Sequence, residues 1–230
     1  MNRISGSGFL SWALRRCCAL AVTLVVLGGP ALAEIELGFY LGAQSAPHSR
    51  VEGNDPGGVG AFSFLAEWEG KSFSPPPYYG LRGTWWRDGG RLGFGLEFTH
   101  SKVYATNATL AASGFSRLEL TNGVNVLTGN VMYRWNAPDR TWTPYAGAGL
   151  GMAIPHVEVT SAGGVTYEYQ VTGPAARWVL GVSRDLSDRW SLFGEYNGTY
   201  SMHDADLSNG GTLKTDLVTN AVNVGVAFRF

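Results

Sequence analysis

The chain has 230 residues, with 17 Lys+Arg against 18 Asp+Glu, 32 glycines and 13 % aromatic residues. Only 15 % of its residues are charged, where about 25 % is usual for a soluble domain. The near-neutral balance and the absence of a basic run exclude a nucleic-acid-binding surface.

Residues 1–33 carry Arg3, Arg15 and Arg16 and no acid, then the apolar run Ala19–Leu27, then Ala31-Leu32-Ala33. A basic start, an apolar centre and a small-residue cleavage site predict a cleaved signal peptide over 1–33. The expected mature chain, 34–230, is one domain's worth of sequence. It holds 14 Lys+Arg and 18 Asp+Glu, a net of −4. Both cysteines, Cys17 and Cys18, lie in the signal, so disulfides and thiolate chemistry are excluded from the mature chain. The pair precedes the apolar run, the wrong order for a lipid anchor.

Past residue 33 no stretch approaches the roughly 20 apolar residues of a membrane helix, and no helical periodicity is evident. The apolar residues alternate instead. Ile35, Leu37, Phe39 and Leu41 do so first, then Leu92, Phe94, Leu96 and Phe98. Trp190, Leu192 and Tyr196 follow, and finally Val222, Val224, Val226, Phe228 and Phe230. Period two predicts strands with one apolar face. An exported all-β chain is either a soluble sandwich or a membrane barrel. Trp and Tyr gather at the strand ends, as interface girdles require, and the other face is rich in Gly and small polar residues, as a narrow lumen requires. The last strand ends on an aromatic residue, Phe230, which resembles the insertion signal of outer-membrane barrels.

Short turns fall at 87–90, 136–141 and 185–188, each with turn chemistry. Longer linkers fall at about 45–77, 105–117, 160–166 and 203–213. Three short turns and four long loops give eight strands: 34–44, 78–87, 91–104, 118–135, 142–159, 167–184, 189–202 and 214–230. The predicted fold is all-β, an eight-stranded antiparallel transmembrane up-and-down β-barrel with short periplasmic turns and long extracellular loops. The expected location is the bacterial outer membrane and the expected state a monomer. Residues 59–69 also read as a strand. They are taken as an extension or a hairpin inside the first extracellular loop, because counting them separately gives nine strands.

Alternation sends Glu36, Glu97 and Glu195 inward with Arg82, Arg134 and Arg177, joined by Thr128, Asn130, Asn197 and Asn223. A barrel of eight strands is just wide enough for side chains to fill, and buried charges must be paired. The expected lumen is therefore a plugged polar network, and a porin channel is excluded on strand number.

The four histidines, His48, His100, His156 and His203, share the outer end on this reading. Asp55, Glu158, Asp204 and Asp206 accompany them. Imidazole with carboxylate suits a divalent transition metal, although His100 and His156 fall on the lipid-facing parity. No G-x-S-x-G elbow occurs, and His100 and Ser101 would face opposite sides of one strand. No Gly-rich loop joins a strand to a helix, so nucleotide binding is unsupported. The first loop is unusual for its Trp, Phe, paired Tyr and triple Pro, a composition that suits an ordered loop with a surface to offer.

The whole mature chain resembles the small eight-stranded outer-membrane barrels of Gram-negative bacteria, through the signal, the alternating strands and Phe230. Within it, residues 35–87 resemble the lipid A oxidases of alphaproteobacteria. The stretches that carry this are Ala46-Pro47-His48-Ser49-Arg50, Asp55-Pro56-Gly57-Gly58, Trp68-Glu69-Gly70-Lys71-Ser72-Phe73 and Pro76-Pro77-Tyr78-Tyr79-Gly80 through Thr84-Trp85-Trp86, about a quarter of the chain. The resemblance implies an outer-membrane enzyme that uses oxygen to convert the proximal glucosamine of lipid A to aminogluconate, with lipid A and outer-membrane lipid as partners. Side chains alone cannot accept the electrons of such an oxidation. A metal at the outer rim is then the simplest expectation. His48, Asp55 and His203 are the catalytic candidates, and His48, His203 and Asp204 the metal candidates. Arg50 and Lys71 are the candidates for the lipid A phosphates. The alternative is a non-catalytic barrel that stabilises the envelope or binds a partner through its loops.

Overall fold

A computed structural model describes residues 34–87, 90–136 and 141–230, the side chains at 121 and 122 excepted. The expected signal peptide and the tips of the first two short turns lie outside the described residues. Twelve strands and one helix are present among those described. They are β1 (Glu34–Ser45), β2 (Ser49–Asp55), β3 (Gly60–Ala66), β4 (Trp68–Glu69), β5 (Tyr79–Trp86), β6 (Leu92–Ala105), α1 (Asn107–Ser113), β7 (Arg117–Arg134), β8 (Thr143–Ser161), β9 (Gly164–Tyr169), β10 (Gly173–Asp185), β11 (Trp190–Asp206) and β12 (Thr212–Arg229).

Eight of the strands close a ring in the order β1-β5-β6-β7-β8-β10-β11-β12, and β12 returns to β1. Every pairing is antiparallel. The closing seam runs from Glu36↔Arg229 to Ser45↔Asn220. Closure removes the free edges that hydrocarbon cannot tolerate. Outward side chains of the lower wall are apolar and exposed, including Leu37, Leu81, Leu150, Leu180, Val222 and Val224. Trp85, Trp135, Trp142 and Trp190 gather near the short turns, forming the aromatic girdle of the periplasmic interface.

The strands of the ring are unequal. β1 and β5 are short, while β7, β8, β11 and β12 continue well past them. The first loop fills the resulting notch. Its β2–β3 hairpin adds to the outer end of β12 through Val51–Asn54 and Thr212–Thr215, and β4 pairs with the outer end of β6. Residues 59–69 thus supply the second arm of an extracellular hairpin and the short β4.

Two details of the secondary structure differ from the sequence reading. The sixth strand is divided. β8 runs on to Ser161 and turns tightly into β9, and the chain then steps across residues 170–172 to β10, so 160–166 is no long linker. A helix, α1, also lies within 106–116. Thr106 caps it by accepting a bond from the Thr109 amide, and Gly114 ends it at φ +81°. Seven residues are too few for a 3.6-residue period to stand out from neighbouring strands.

The lumen has two regimes. Through the membrane it is charged, with Tyr40, Trp86, Met132, Tyr145 and Phe193 packed around the ion pairs. In the outer half it becomes an apolar core, where Val51, Phe62, Val103, Phe115, Leu118, Leu120, Val157, Leu213 and Leu217 are all buried, with Leu110 of α1 packed against them. Phe62 meets Phe115 edge to face at 5.2 Å. The sequence reading anticipated no apolar filling. It arises because the long strands rise above the bilayer, where burying an apolar face inward is the ordinary solution for a β-sheet in water.

Candidate functional site

Four charges form a square in the lower lumen. Arg82 reaches Glu97 at 3.3 Å and Glu195 at 2.8 Å, and Arg177 reaches Glu97 at 2.7 Å and Glu195 at 3.8 Å. Tyr40 donates to Glu97 at 2.7 Å and Tyr145 to Glu195 at 2.6 Å. Asn197 and Asn223 donate to the same two carboxylates. Two bases between two acids leave no net charge, which is what a buried ionic group requires. A second set closes the periplasmic mouth. Arg134 holds Glu34 at 3.0 Å, and Arg229 holds Glu34 at 3.3 Å and Glu36 at 3.2 Å. Arg229 also meets Asp185, and Arg134 stacks on Trp86 at 4.1 Å. Both sets hold strands together, and Arg177 Nη2, Asn197 Oδ1 and Asn223 Oδ1 are buried among them with no hydrogen-bond partner among the described residues.

The candidate metal residues do not converge. His203 points into the lumen and is buried, with Nδ1 2.8 Å from Thr172 Oγ1 and Nε2 2.8 Å from Ser201 Oγ. Asp204 follows it on β11 and so faces the opposite side, where it pairs with Lys214 at 2.8 Å. His48 is exposed just before β2. Asp55 is buried in the β2–β3 turn, where it accepts from the Val59 amide at 2.8 Å and from Asn209. Both nitrogens of His203 are occupied and its neighbour faces away, so His48, His203 and Asp204 do not form a metal site. Among the described residues no three His, Cys, Asp or Glu side chains meet to hold an ion. Arg50 donates to Ser63 at 3.0 Å within its own hairpin and borders a shallow groove with Glu52, Lys214 and Asp216. Lys71 pairs with Glu69 at 3.4 Å and lies 4.3 Å from the Tyr104 ring centroid.

The registers bring a different set together on the membrane-facing side. Glu69 opposes Tyr104, Tyr104 opposes Glu119, Glu119 opposes Glu158, and Glu158 opposes Tyr167. Directly opposed residues share a face, so one row crosses β4, β6, β7, β8 and β9. Arg117, two residues before Glu119 on the same face, reaches into it, 2.6 Å from Glu158 and 3.7 Å from Glu119. The charges of Lys71 and Lys102 also act on Glu119. His156 stands two residues before Glu158 on the same face, its Nδ1 3.0 Å from Glu158 Oε1. Tyr167 and Tyr169 meet the imidazole edge-on, with centroids 4.4 and 4.6 Å away.

The depth of this row is set by β8. Its outward column reads Ala148, Leu150, Met152, Ile154, then His156 and Glu158. Leu150 is 75 % exposed, as a lipid-facing residue must be. The change from aliphatic to ionisable residues marks the outer interface of the bilayer. The i, i+2 spacing of His156 and Glu158 was the available sequence signal for this pair. The tyrosines were hidden, since their place depends on the β8–β9 hairpin.

A family model described as "Outer membrane protein beta-barrel domain" matches residues 19–230. The chain belongs to this family. Its place is therefore the bacterial outer membrane, with the ring spanning the bilayer. Among solved structures, the outer membrane protein AlkL, determined in lipid bilayers, is 14 % identical over 88 % of this chain and 92 % of its own, at a TM-score of 0.50. Neisserial surface protein A is 13 % identical over 88 % of this chain and all of its own, at a TM-score of 0.48. OprG of Pseudomonas aeruginosa is 11 % identical over 88 % and 98 %, at 0.45. At these identities the likeness concerns the fold alone. No curated protein matches the chain.

Proposed function

We propose that this barrel modifies lipid A, by oxygen-dependent oxidation of the proximal glucosamine to aminogluconate, at the outer rim of its membrane-facing wall. The observation that carries the reading is the row of charged and aromatic side chains at the outer interface, Glu69 to Tyr167. It lies at the depth of outer-leaflet headgroups. A substrate anchored in that leaflet reaches the row by lateral diffusion, without leaving the membrane. The stretches that resemble lipid A oxidases support the same place. They form the start of β2, the β2–β3 turn and β4 with Lys71, which belong to the notch-filling part of the outer wall, and the ring strand β5 beside it. Lys71 and Arg117 supply charge-assisted donors for the lipid A phosphates.

Oxidation requires a redox group to pass electrons to oxygen. The candidate metal residues do not fit one, so no step is assigned through it. The test is mass spectrometry of lipid A from a heterologous Gram-negative host with and without the barrel. The expected result is a gain of one oxygen atom that requires air. Unchanged lipid A in cells whose barrel is folded and inserted overturns the reading in favour of a non-catalytic, loop-binding barrel.

A further inference from the structure

We infer that His156 is a proton-accepting catalytic residue for a sugar hydroxyl of a membrane-anchored glycolipid, with Glu158 and Arg117 as its positioning residues. The inference rests on the lipid A reading for its substrate and adds the residues that would act on it.

His156 is more than nine-tenths buried, clamped between Tyr167 and Tyr169. Its Nδ1 faces the Glu158 carboxylate at 3.0 Å. A carboxylate accepts only, so Nδ1 carries a proton in this contact. In the neutral ring Nε2 is then the lone-pair nitrogen. No donor or acceptor among the described residues meets Nε2. Arg117 holds the far oxygen of Glu158 at 2.6 Å, which keeps that carboxylate in place. The chain Arg117–Glu158–His156 thus ends, at the lipid-facing wall, on a basic nitrogen that no described residue meets. His203 has both ring nitrogens bonded to hydroxyls inside the lumen.

The surroundings define the ligand class. Below His156 the wall is aliphatic, through Ile154, Met152 and Leu150, and matches acyl chains. Beside it are the tyrosine rings, a surface suited to a sugar ring. A ligand that satisfies both is an amphiphile with a hydroxylated headgroup and acyl tails. In the step, the sugar O–H bond breaks and the proton bonds to Nε2. The oxygen keeps the electron pair, and the resulting imidazolium lies against the Glu158 carboxylate.

The experiment uses the full-length barrel in nanodiscs, either of phosphatidylglycerol alone or with purified lipid A. Histidine side-chain NMR and single-turnover conversion of lipid A are measured on the wild type, His156→Gln and Glu158→Gln. Folding of each is checked by heat-modifiable electrophoretic mobility. Lipid A is expected to shift the His156 resonances while phosphatidylglycerol does not. Glu158→Gln is expected to change the nitrogen shifts that report the His156 tautomer. General-base catalysis contributes about 10²–10⁴-fold, so His156→Gln should slow conversion about 100-fold or more with the barrel folded. Full conversion by folded His156→Gln, with His156 resonances indifferent to lipid A, overturns this inference and leaves the lipid A reading standing. A wild type that converts nothing while its His156 still responds to lipid A overturns the reaction but supports the site. Neither conversion nor response overturns both.

Discussion

Arg177 is 2 % exposed and surrounded by carboxylates and amides, so its charge is supported entirely by the protein. Removing one acid of the square leaves a buried base uncompensated, at a cost of about 3–5 kcal/mol. Glu97→Gln is expected to lower the urea midpoint of the barrel refolded in vesicles by a corresponding amount, while Glu69→Gln, on the exposed rim, should cost less than about 1 kcal/mol. Asp55 lies outside the membrane. Burial opposes its ionisation, but bonds from Ser161, the Val59 amide and Asn209 outweigh burial and hold its pKa below the usual carboxylate value. A depressed folded pKa means the stabilisation is present above the unfolded value, near 3.9, and is lost as pH falls through the folded one. Proteolysis of the β2–β3 turn should therefore accelerate below about pH 4 in the wild type and be insensitive to pH in Asp55→Asn. Strand parity was enough to place Arg82, Glu97, Arg177 and Glu195 in the lumen. It could not reveal that Arg229 belongs with Glu34 and Glu36, because that contact depends on the register of the closing seam. Nor could it show that the nitrogens of His203 are already taken.

Among the elements, β1 and β5 are too short to wall the outer half of the barrel, and the β2–β3 hairpin with α1 takes their place. Phe62 and Phe115 pin the hairpin to the segment after α1. Truncating a buried aromatic ring costs about 3–5 kcal/mol. Phe115→Ala should therefore loosen the outer half while the membrane-spanning half stays intact. Hydrogen exchange should quicken in β2 and β3 and remain slow in β10. Uniform quickening would mean that the two halves unfold as one. The strands were legible because lipid on one side and a polar lumen on the other enforce strict alternation. Above the bilayer that constraint lapses. There α1 and the step between β9 and β10 escaped notice, since short segments in water are set by tertiary packing rather than by period.

For the molecule as a whole, the charge square and the apolar outer core lie in series along the axis. An ion would have to displace both. Planar-bilayer recordings of the purified barrel should show no conductance steps above leak, and stable porin-like openings would contradict the sealed lumen. Strand number alone was enough for that expectation, because an eight-stranded ring is filled by its own side chains.

The wall also reverses its polarity. Through the bilayer it is apolar outside and ionic inside, and above His156 it is ionic outside and apolar inside. The barrel's height in the membrane is thereby fixed from both ends of the wall. Sinking by two residues would carry Arg117, Glu119 and Glu158 toward hydrocarbon, where a basic side chain costs up to about 2–4 kcal/mol at the midplane. Rising by two would lift Ile154 toward water. A thinner or thicker bilayer must therefore adapt to this protein, which makes the barrel a gauge of the lipid thickness around it.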